Sequence, residues 1–309
     1  MAGRHWVPLR SAWEAALYGR QGFYRRESPA DHFETSPHAS DLFALAVVEL
    51  ARRLCLSRIV DVGAGSGRLL AGISAVAPEI DLVGVDLRAR PEGLPARVHW
   101  YGELPGGVDR LVLANEVLDN IACDVVEVDD QGQIRHVEVD AATGDQRLGE
   151  PARAELLEWT TRWWPLTECG SRAEVGLARD SWWSSLCAAA SRGACVAVDY
   201  GHLAGDRPRL GTLTSYRRGA QVPVTFDGTS DVTAHVAFDS LAAAVGSTPR
   251  RQRDVLRELG VSGRRPPLQQ ATTDPAGYLR ALALAGEAAE LTTIGGLGDL
   301  YWLIPDVPW

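Results

Sequence analysis

Three glycines and a carboxylate form a short pattern that is suited to binding a cofactor. The stretch DVGAGSGRL places Asp61 two residues before Gly63, and Gly65 and Gly67 follow at intervals of two. Glycines between a strand and a helix let a ligand approach the backbone closely, because no Cβ intervenes. In dinucleotide-binding turns the helix start faces a pyrophosphate, which an acidic residue at Asp61 would repel. S-adenosylmethionine has no phosphate, and its ammonium and sulfonium groups are cationic, so the pattern favours that cofactor.

A second carboxylate, Asp86, ends the apolar stretch DLVGVDL, 19 residues after Gly67. In Rossmann-like folds an acidic side chain at this spacing accepts hydrogen bonds from the hydroxyls of the cofactor ribose. Leu87 follows directly and is included in the same site. NAD would use the same carboxylate, so a nicotinamide or flavin cofactor is an alternative at this point, and so is a tight turn that binds nothing.

Polar residues also follow another apolar stretch. In LVLANEVLDNI, the residues Asn115, Glu116 and Asp119 come at the carboxyl end of an expected strand, where α/β folds collect their active residues. Glu116 and Asp119 are three positions apart, so a helical turn would place both carboxylates on one face. Two later stretches add candidates at the same edge, namely Asp199, Tyr200 and His202 in VDYGH, and Asp231, Thr233 and His235 in SDVTAH.

A parallel sheet is needed to bring these strand ends together. Strands are expected at residues 58–63, 81–87, 96–101, 110–116 and 194–201. Their apolar runs are continuous instead of alternating, which is typical of strands buried on both faces of a parallel sheet. A helix is expected at 68–76, between the first two strands. The architecture is therefore predicted to be doubly wound α/β.

Two segments do not fit the simple alternation of strand and helix. Helical patterns at 8–18 and 40–54 predict an amino-terminal helical extension over residues 1–55. Residues 124–140 carry a hairpin signal around DDQGQ, and tryptophan-rich helical stretches follow, so 124–177 is interpreted as an insertion that caps the sheet. Further helices are expected at 238–245, 252–259 and 276–288, and two final strands at 289–295 and 299–307. The whole chain is taken as one domain with this insertion.

The composition excludes several classes of protein. With a formal net charge of −9 and a pI near 5.3, the chain lacks the basic surface that nucleic acids and anionic membranes require. All 31 basic residues are arginine, which rules out a lysine nucleophile, a Schiff base or a P-loop lysine. Five scattered cysteines without CxxC spacing suggest neither a disulfide framework nor a metal site. Without a signal-peptide pattern or a long apolar run, the expectation is a cytoplasmic protein with no membrane partner.

Six motifs in order identify a family. They are FETSPHASDLF, DVGAGSGRL, LANEVLDNI, VDYG, GTLTSY and DVTAHVAF. Together they resemble the MidA-like methyltransferases, the family of the mitochondrial complex I assembly-factor arginine methyltransferase, over most of the chain. The resemblance implies a Rossmann-like class I methyltransferase fold with a doubly wound, mostly parallel seven-stranded sheet, and S-adenosyl-L-methionine as donor. It also implies N-methylation of an arginine in a protein or peptide acceptor, and a homodimer is compatible with it.

The resemblance assigns roles to residues. The donor site that it implies consists of Asp61, Gly63, Ala64, Gly65, Gly67, Asp86, Leu87, Thr35, Ser36, Pro37 and Asn115. The catalytic candidates are Glu116, Asn115, Asp119 and His235. On the acceptor side the family's NEFFDALP reads NEVLDNIA here. Such departures leave a small metabolite or modified peptide open as an alternative acceptor, methylated on oxygen or nitrogen. A non-catalytic assembly factor with a methyltransferase fold is the alternative from another class.

The chemistry of an arginine acceptor determines which residues are needed. Methyl transfer is an in-line displacement, for which an enzyme mainly aligns the nucleophile and the methyl group. A guanidinium is protonated at neutral pH and needs carboxylates to localise its lone pair and a group to take up its proton. Glu116 is the first candidate for the carboxylate, Asp119 or Asp199 the second, and His235 the candidate proton acceptor. Helix capping, strand-end solvation and a structural histidine are the ordinary alternatives for these residues.

Overall fold

Helices and strands alternate along most of the chain. The computed structural model describes residues 5–26, 35–107, 109–190 and 193–305. The helices are α1 (Leu9–Tyr18), α2 (Phe23–Arg26), α3 (Ser36–Ala39), α4 (Asp41–Arg53), α5 (Arg68–Val76), α6 (Ala154–Trp163), α7 (Leu177–Ala189), α8 (Phe238–Val245), α9 (Gln252–Glu258), α10 (Leu268–Thr273) and α11 (Pro275–Thr292). The strands are β1 (Trp6–Pro8), β2 (Arg58–Val62), β3 (Asp81–Val85), β4 (Val98–Tyr101), β5 (Leu111–Asn115), β6 (Asp124–Val128), β7 (Ile134–Asp140), β8 (Gln146–Pro151), β9 (Arg172–Val175), β10 (Ala194–Asp199), β11 (Gly201–His202), β12 (Thr214–Arg217), β13 (Ala220–Val222), β14 (Asp231–Thr233), β15 (Val236–Ala237), β16 (Thr248–Arg251) and β17 (Tyr301–Ile304). Within the described ranges, none of these helices combines the length and the apolar character needed to cross a bilayer.

The described residues form two compact units. The glycine-turn unit comprises the described parts of Glu34–Asn115, Ala190–Val198 and Pro249–Trp309. The Glu116 unit comprises the described parts of Met1–Phe33, Glu116–Ala189 and Asp199–Thr248. The expected amino-terminal extension is divided between them, because α1 and α2 belong to the Glu116 unit and α3 and α4 to the glycine-turn unit.

A seven-stranded sheet is the frame of the glycine-turn unit. Its strand order is β16-β17-β10-β5-β2-β3-β4. Parallel pairing links β10, β5, β2, β3 and β4. The runs RIVDV and LVLAN are buried over most of their length, as strands enclosed on both faces require. The doubly wound, mostly parallel seven-stranded sheet expected from the sequence is confirmed.

The expectation for the last strands is partly wrong. Residues 289–292 do not form a strand, because α11 continues to Thr292. Ala285, Ala288 and Leu291 are buried at intervals of three, so the buried stripe of the helix runs through a segment rich in helix-forming Ala and Glu. The remaining strand of the sheet is instead β16. The expected strand at 299–307 is confirmed as β17, although its last two expected residues lie outside the described residues.

An antiparallel sheet is the frame of the Glu116 unit. Its order is β1-β7-β6-β9, and β8 pairs with the other side of β7. The predicted hairpin is present as β6 and β7, with Val126 opposite His136. The sequence predicted only this hairpin and helices for 124–177. In the structure β8 and β9 also pair with the hairpin and enlarge it into a sheet. α1 covers this sheet with the fully buried Trp13 and Leu17.

Two tryptophans of the tryptophan-rich stretches lie in the core of the Glu116 unit. Trp164 and Trp183 are buried, whereas Trp163 and Trp182 are half-buried. Trp159 is also buried, and its Nε1 donates to Asp180 at 2.8 Å. Trp164, Trp183 and Trp159 are therefore packing residues of this unit.

Candidate functional site

The glycine-rich turn joins β2 to α5 and needs its glycines. Gly63, Gly65 and Gly67 have φ values of +74°, +58° and +73°, in the left-handed region that residues with a Cβ rarely adopt. A Cβ at Gly67 would also lie 2.7 Å from Cδ1 of Leu94. The turn therefore exposes backbone groups where a larger residue would place a side chain.

Hydrogen bonds tie this turn to the end of the neighbouring strand β3. The N–H groups of Gly63 and Ala64 both donate to the carbonyl oxygen of Val85, at 2.8 and 3.2 Å. The N–H of Gly65 donates to Oδ2 of Asp86 at 2.8 Å. The structure thus brings the glycines and the strand-end carboxylate together as the sequence spacing predicted.

Asp86 is held on its other side by Arg88. Oδ1 accepts the backbone N–H of Arg88 at 2.9 Å and its guanidinium Nε at 3.2 Å. Both lone pairs of Oδ1 are then occupied, and Oδ2 keeps one that Gly65 does not use. Leu87, between the two, is 73% exposed. An exposed apolar side chain directly after a strand-end carboxylate offers a surface on which a planar ring can pack.

Asp61 is a buried carboxyl that has no partner in the described part of the chain. It is 4% exposed, and no hydrogen-bond donor or cation pairs with it among the described residues. Burial, and secondly the charge of Asp86, raise the pKa of Asp61 to about 8. A buried carboxyl in this state favours a cationic partner, because such a partner would stabilise its ionised form.

The TSP segment is linked to the glycine-rich turn through His38. Thr35 Oγ1 lies 2.7 Å from Nδ1 of His38, and Nε2 of His38 lies 3.3 Å from Oγ of Ser66. Sequence reasoning missed His38, although it follows the TSP motif directly. The tautomer of the imidazole decides which nitrogen donates, and either hydroxyl can adapt to it.

Ser36 and Pro37 lie on the inside of the segment. Ser36 is fully buried, and its Oγ accepts a hydrogen bond from Nε2 of Gln252 at 3.1 Å. Oε1 of Gln252 in turn accepts the indole N–H of Trp302 at 2.9 Å. Pro37 is buried as well. Ser36 therefore stabilises the unit from within, while Thr35 is the hydroxyl connected to the turn.

The predicted catalytic pair lies at the end of β5. Asn115 is the last residue of the strand, half-buried, and its partner in the neighbouring strand is Val198. Glu116 follows with φ of +53°, a left-handed conformation that is rare for a residue with a long side chain. The chain then forms a short 3-10 helix at Leu118–Asn120.

Asp199 is buried against that short helix. Its Oδ2 accepts the N–H groups of Val117, Leu118 and Asp119 at 3.1, 2.8 and 3.2 Å. Its Oδ1 accepts the N–H of Tyr200 at 2.8 Å. Burial raises the pKa of Asp199, and the charges of Asp119 and Glu116 raise it further, while its amide donors favour the ionised form.

Asp119 and Asp231 are two further buried carboxyls in the Glu116 unit. Oδ2 of Asp119 accepts the hydroxyl of Thr233 at 2.7 Å, and Oδ2 of Asp231 accepts that of Tyr24 at 2.8 Å. Oδ1 of each is buried without a partner among the described residues. Burial raises the pKa of both, and Asp119 adds to the effect on Asp231.

Arg179 lies beside this cluster but binds backbone. Its Nε, Nη1 and Nη2 donate to the carbonyl oxygens of Ile121, His235 and Asp119 at 3.1, 2.9 and 2.7 Å. The guanidinium is buried, so it stabilises the loops that carry Asp119 and His235. Its positive charge lowers the pKa of Asp119, but burial of that carboxyl outweighs it.

Tyr200 and His235 form a stacked pair near Glu116. Their ring centroids are 6.2 Å apart with an angle of 25° between the planes. The pKa of Tyr200 is raised by burial and then by the charge of Glu116. Burial of part of the ring and then the charge of Arg179 lower the pKa of His235, so the imidazole is neutral at pH 7, and the rest of the residue reaches the surface. The structure thus brings Glu116, Asp119 and His235 into one neighbourhood.

His202, the other histidine of this edge, is a structural residue. It is buried, and burial and the adjacent Arg207 lower its pKa to about 3. Nδ1 of His202 contacts Nη1 of Arg207, whose Nη2 pairs with Asp239. The imidazole also packs edge-on against Trp164, with centroids 4.7 Å apart. These contacts belong to the core and leave His235 as the accessible histidine.

Comparisons with known proteins agree with S-adenosyl-L-methionine as the donor. Two solved structures of COG1565 superfamily proteins from Burkholderia thailandensis, one of them bound to S-adenosyl-homocysteine, are each 27% identical to this chain and match 97% of it. The matches cover 87% and 86% of those chains, with TM-scores of 0.77 and 0.75. A comparison with curated proteins finds no match.

A match to a sequence family shows more directly that the chain is related to methyltransferases. The profile of a family of S-adenosyl-L-methionine-dependent methyltransferases matches residues 84–254, which is more than half of the chain. The matched range includes Asp86, Glu116 and His235. Together with the Burkholderia structures, this match confirms the resemblance that the ordered motifs indicated. The chain therefore belongs to this family of S-adenosyl-L-methionine-dependent methyltransferases.

Proposed function

We propose that this enzyme methylates a guanidinium nitrogen of arginine in a protein or peptide acceptor. The observation that supports this acceptor is the excess of carboxyl groups in the Glu116 unit. Asp119, Asp199 and Asp231 are buried there, and the charge of Asp119 raises the pKa of both Asp199 and Asp231. The neighbouring Arg179 uses all three guanidinium nitrogens for backbone carbonyls. A region with this charge favours a cationic acceptor over a neutral or anionic one.

The residues of the glycine-turn unit fit S-adenosyl-L-methionine as donor. Asp61, which is buried and has no partner within the described ranges, suits the ammonium of the methionine part. Asp86 suits the ribose hydroxyls, which would compete with Arg88 for Oδ1 and use the free lone pair on Oδ2. Leu87 offers an exposed apolar surface to the adenine. The positive-φ glycines leave room for the ligand to approach the backbone.

Glu116 is the carboxylate that this proposal assigns to the acceptor. The oxygens of Asp199 are occupied by backbone N–H groups, and the unpartnered oxygen of Asp119 is buried. Glu116 is half-buried, and its charge acts on Asp199 of the same cluster. Asp119 and Asp199 then act on the acceptor through charge and positioning, and Glu116 through direct hydrogen bonds to the guanidinium.

The transfer itself needs alignment and removal of one proton. Bound S-adenosyl-L-methionine supplies a methyl group on a positively charged sulfur. The sulfur leaves readily because it becomes the neutral thioether of S-adenosyl-homocysteine. A guanidinium nitrogen forms the new N–C bond as the C–S bond breaks, giving methylarginine and S-adenosyl-homocysteine. Glu116 localises the nitrogen lone pair, and neutral His235 takes up the released proton and passes it to solvent at the surface where it lies.

Product analysis tests this proposal. The enzyme is incubated with methyl-labelled S-adenosyl-L-methionine and with peptides that differ only in having Arg, Lys, Asp or Glu at one position. Label on arginine, stable to base, is expected. Base-labile label on the acidic peptides, or label found only among small molecules of a cell extract, would replace this acceptor with a carboxylate or a metabolite. Binding of S-adenosyl-homocysteine without any transfer would favour a non-catalytic assembly factor.

A further inference from the structure

Glu116 has a backbone conformation that its own side chain does not favour. Its φ of +53° lies in the left-handed region, where a Cβ approaches the following carbonyl oxygen. Residues of this kind persist only when the surrounding structure holds them. The group that holds Glu116 therefore determines where its carboxylate points.

The three residues after Glu116 are all held by one side chain. The N–H groups of Val117, Leu118 and Asp119 converge on Oδ2 of Asp199, which is fully buried. Three successive amides that surround an anion form a nest, and a fixed negative charge stabilises the curled backbone that presents them. Without such an acceptor, the half-buried N–H of Val117 and the buried N–H groups of Leu118 and Asp119 would lose this partner.

Asp199 also fixes the residue that stacks on His235. Its second oxygen, Oδ1, accepts the N–H of Tyr200 at 2.8 Å. One carboxylate thus holds the turn after Glu116 and the start of the segment that carries Tyr200. Asp199 ends β10 and Glu116 follows β5, and these two strands pair in parallel.

We propose that Asp199 is a positioning residue that keeps Glu116 in the left-handed conformation from which its carboxylate meets the acceptor. This differs from the sequence hypothesis that Asp199 is a second carboxylate for the guanidinium, because both of its oxygens are used by backbone amides. The inference rests on the proposed function for the role of Glu116. The arrangement of the turn itself can be tested without an acceptor.

The first test is structural and compares Asp199→Asn with Asp129→Asn. Asparagine has one neutral acceptor oxygen in place of the carboxylate, so it holds the three amides more weakly even when that oxygen faces them, and its NH₂ group then faces the N–H of Tyr200. Asp129 is the matched control, because its Oδ1 accepts the N–H groups of Gln131 and Gln133 in the β6–β7 turn, where no functional residue is proposed. Hydrogen exchange and a crystal structure of each variant are the measurements.

The expected result is local to each turn. In Asp199→Asn the amides of residues 117–119 should exchange at least about tenfold faster, and Glu116 should leave the left-handed region. In Asp129→Asn only the amides at 131 and 133 should change. Unchanged protection at 117–119, or a Glu116 that keeps its positive φ, would overturn the inference. The wild-type protein gives a test that does not depend on the folding of a variant. Rapid exchange of the amides at 117–119 in wild type would also overturn the inference.

The second test is a double-mutant cycle on turnover of an arginine peptide. Asp199→Asn should lower kcat about tenfold or more, with KM for S-adenosyl-L-methionine changed less than about twofold. In a Glu116→Gln background the same substitution should have almost no further effect, because its effect passes through Glu116. Multiplicative losses would overturn the positioning role. If wild type methylates no arginine peptide, the proposed function fails, and the exchange and crystal measurements still decide the inference.

Discussion

The carboxylate of Asp86 accepts the backbone N–H of Gly65 at 2.8 Å, so the strand-end acid and the glycine-rich turn form one hydrogen-bonded structure. The carboxylate also binds the N–H and Nε of Arg88. The turn is therefore already shaped by Asp86. For a ribose bound at Asp86, as we propose, two hydrogen bonds would require it to replace the guanidinium of Arg88 at Oδ1.

Asp86→Asn should weaken binding of S-adenosyl-homocysteine. The amide keeps one acceptor oxygen for Gly65, but its NH₂ group cannot accept a ribose hydroxyl. Loss of hydrogen bonds to a charged group costs about 1.5–3 kcal/mol, or about ten- to a hundredfold in Kd. Titration calorimetry measures it, with Asp81→Asn as control, because Asp81 starts the same strand and is paired with Arg58 at 3.1 Å. An equal Kd for wild type and Asp86→Asn would remove Asp86 from the ribose site.

Donor affinity should rise with pH between about 6 and 8. The pKa of Asp61 is about 8 in the free protein, and an ammonium next to it favours the ionised form. Binding below pH 8 therefore releases a proton, and the affinity gains up to about tenfold per pH unit until Asp61 is ionised without ligand. Calorimetry in two buffers with different ionisation enthalpies counts the proton. No proton release at pH 6.5 would contradict the role of Asp61.

The same carboxyl should lower the stability of the ligand-free protein as pH rises. Unfolded, Asp61 loses its proton near its ordinary pKa of 3.8, whereas in the folded protein it keeps the proton to about pH 8. The folded state binds more protons in this window, so the free energy of unfolding falls between about pH 4 and pH 8. Asp61→Asn should therefore unfold at a higher urea concentration than wild type at pH 8, and the difference should shrink towards pH 4. A stability difference that is independent of pH would contradict a raised pKa.

His38→Ala should loosen the glycine-rich turn. It removes the link between Thr35 and Ser66, and one or two hydrogen bonds of this kind contribute about 0.5–1.5 kcal/mol each. We expect a several-fold higher Kd for S-adenosyl-homocysteine and faster exchange of the amides at 63–67. His136→Ala, on β7 of the Glu116 unit, is the control. A variant that binds as wild type does would show that the TSP segment is independent of the donor.

The sequence predicted those features that depend on local spacing. Asp61, the glycines and Asp86 lie within one strand–turn–helix–strand segment, whose geometry the fold fixes. The helix expected at 68–76 has the same bounds in the structure. It could be predicted because its apolar period and the preceding glycine mark it clearly in the sequence. Buried strands such as β5 were equally clear from their continuous apolar runs.

Contacts between distant segments could not be predicted in this way. The motif assigns Ser36 to the donor site, and nothing in the motif indicates that its hydroxyl also bonds Gln252, 216 residues away. Asp199 was a candidate for the acceptor, yet it binds amides about 80 positions earlier in the chain. The strand expected at 289–295 was wrong because the buried stripe of α11, not local β-propensity, determines that segment.

The most direct test of the account is the effect of Glu116→Gln on methylation of an arginine peptide. Glutamine keeps the shape and hydrogen bonding of the side chain and removes its charge. Turnover should fall by about a hundredfold or more, because the guanidinium loses the carboxylate that localises its lone pair. The Kd for S-adenosyl-homocysteine should stay within about twofold of wild type. Glu103→Gln, at an exposed glutamate of the same chain, is the matched control and should leave both unchanged. Equal turnover of arginine peptide by wild type and Glu116→Gln would contradict the assignment of Glu116 to the acceptor.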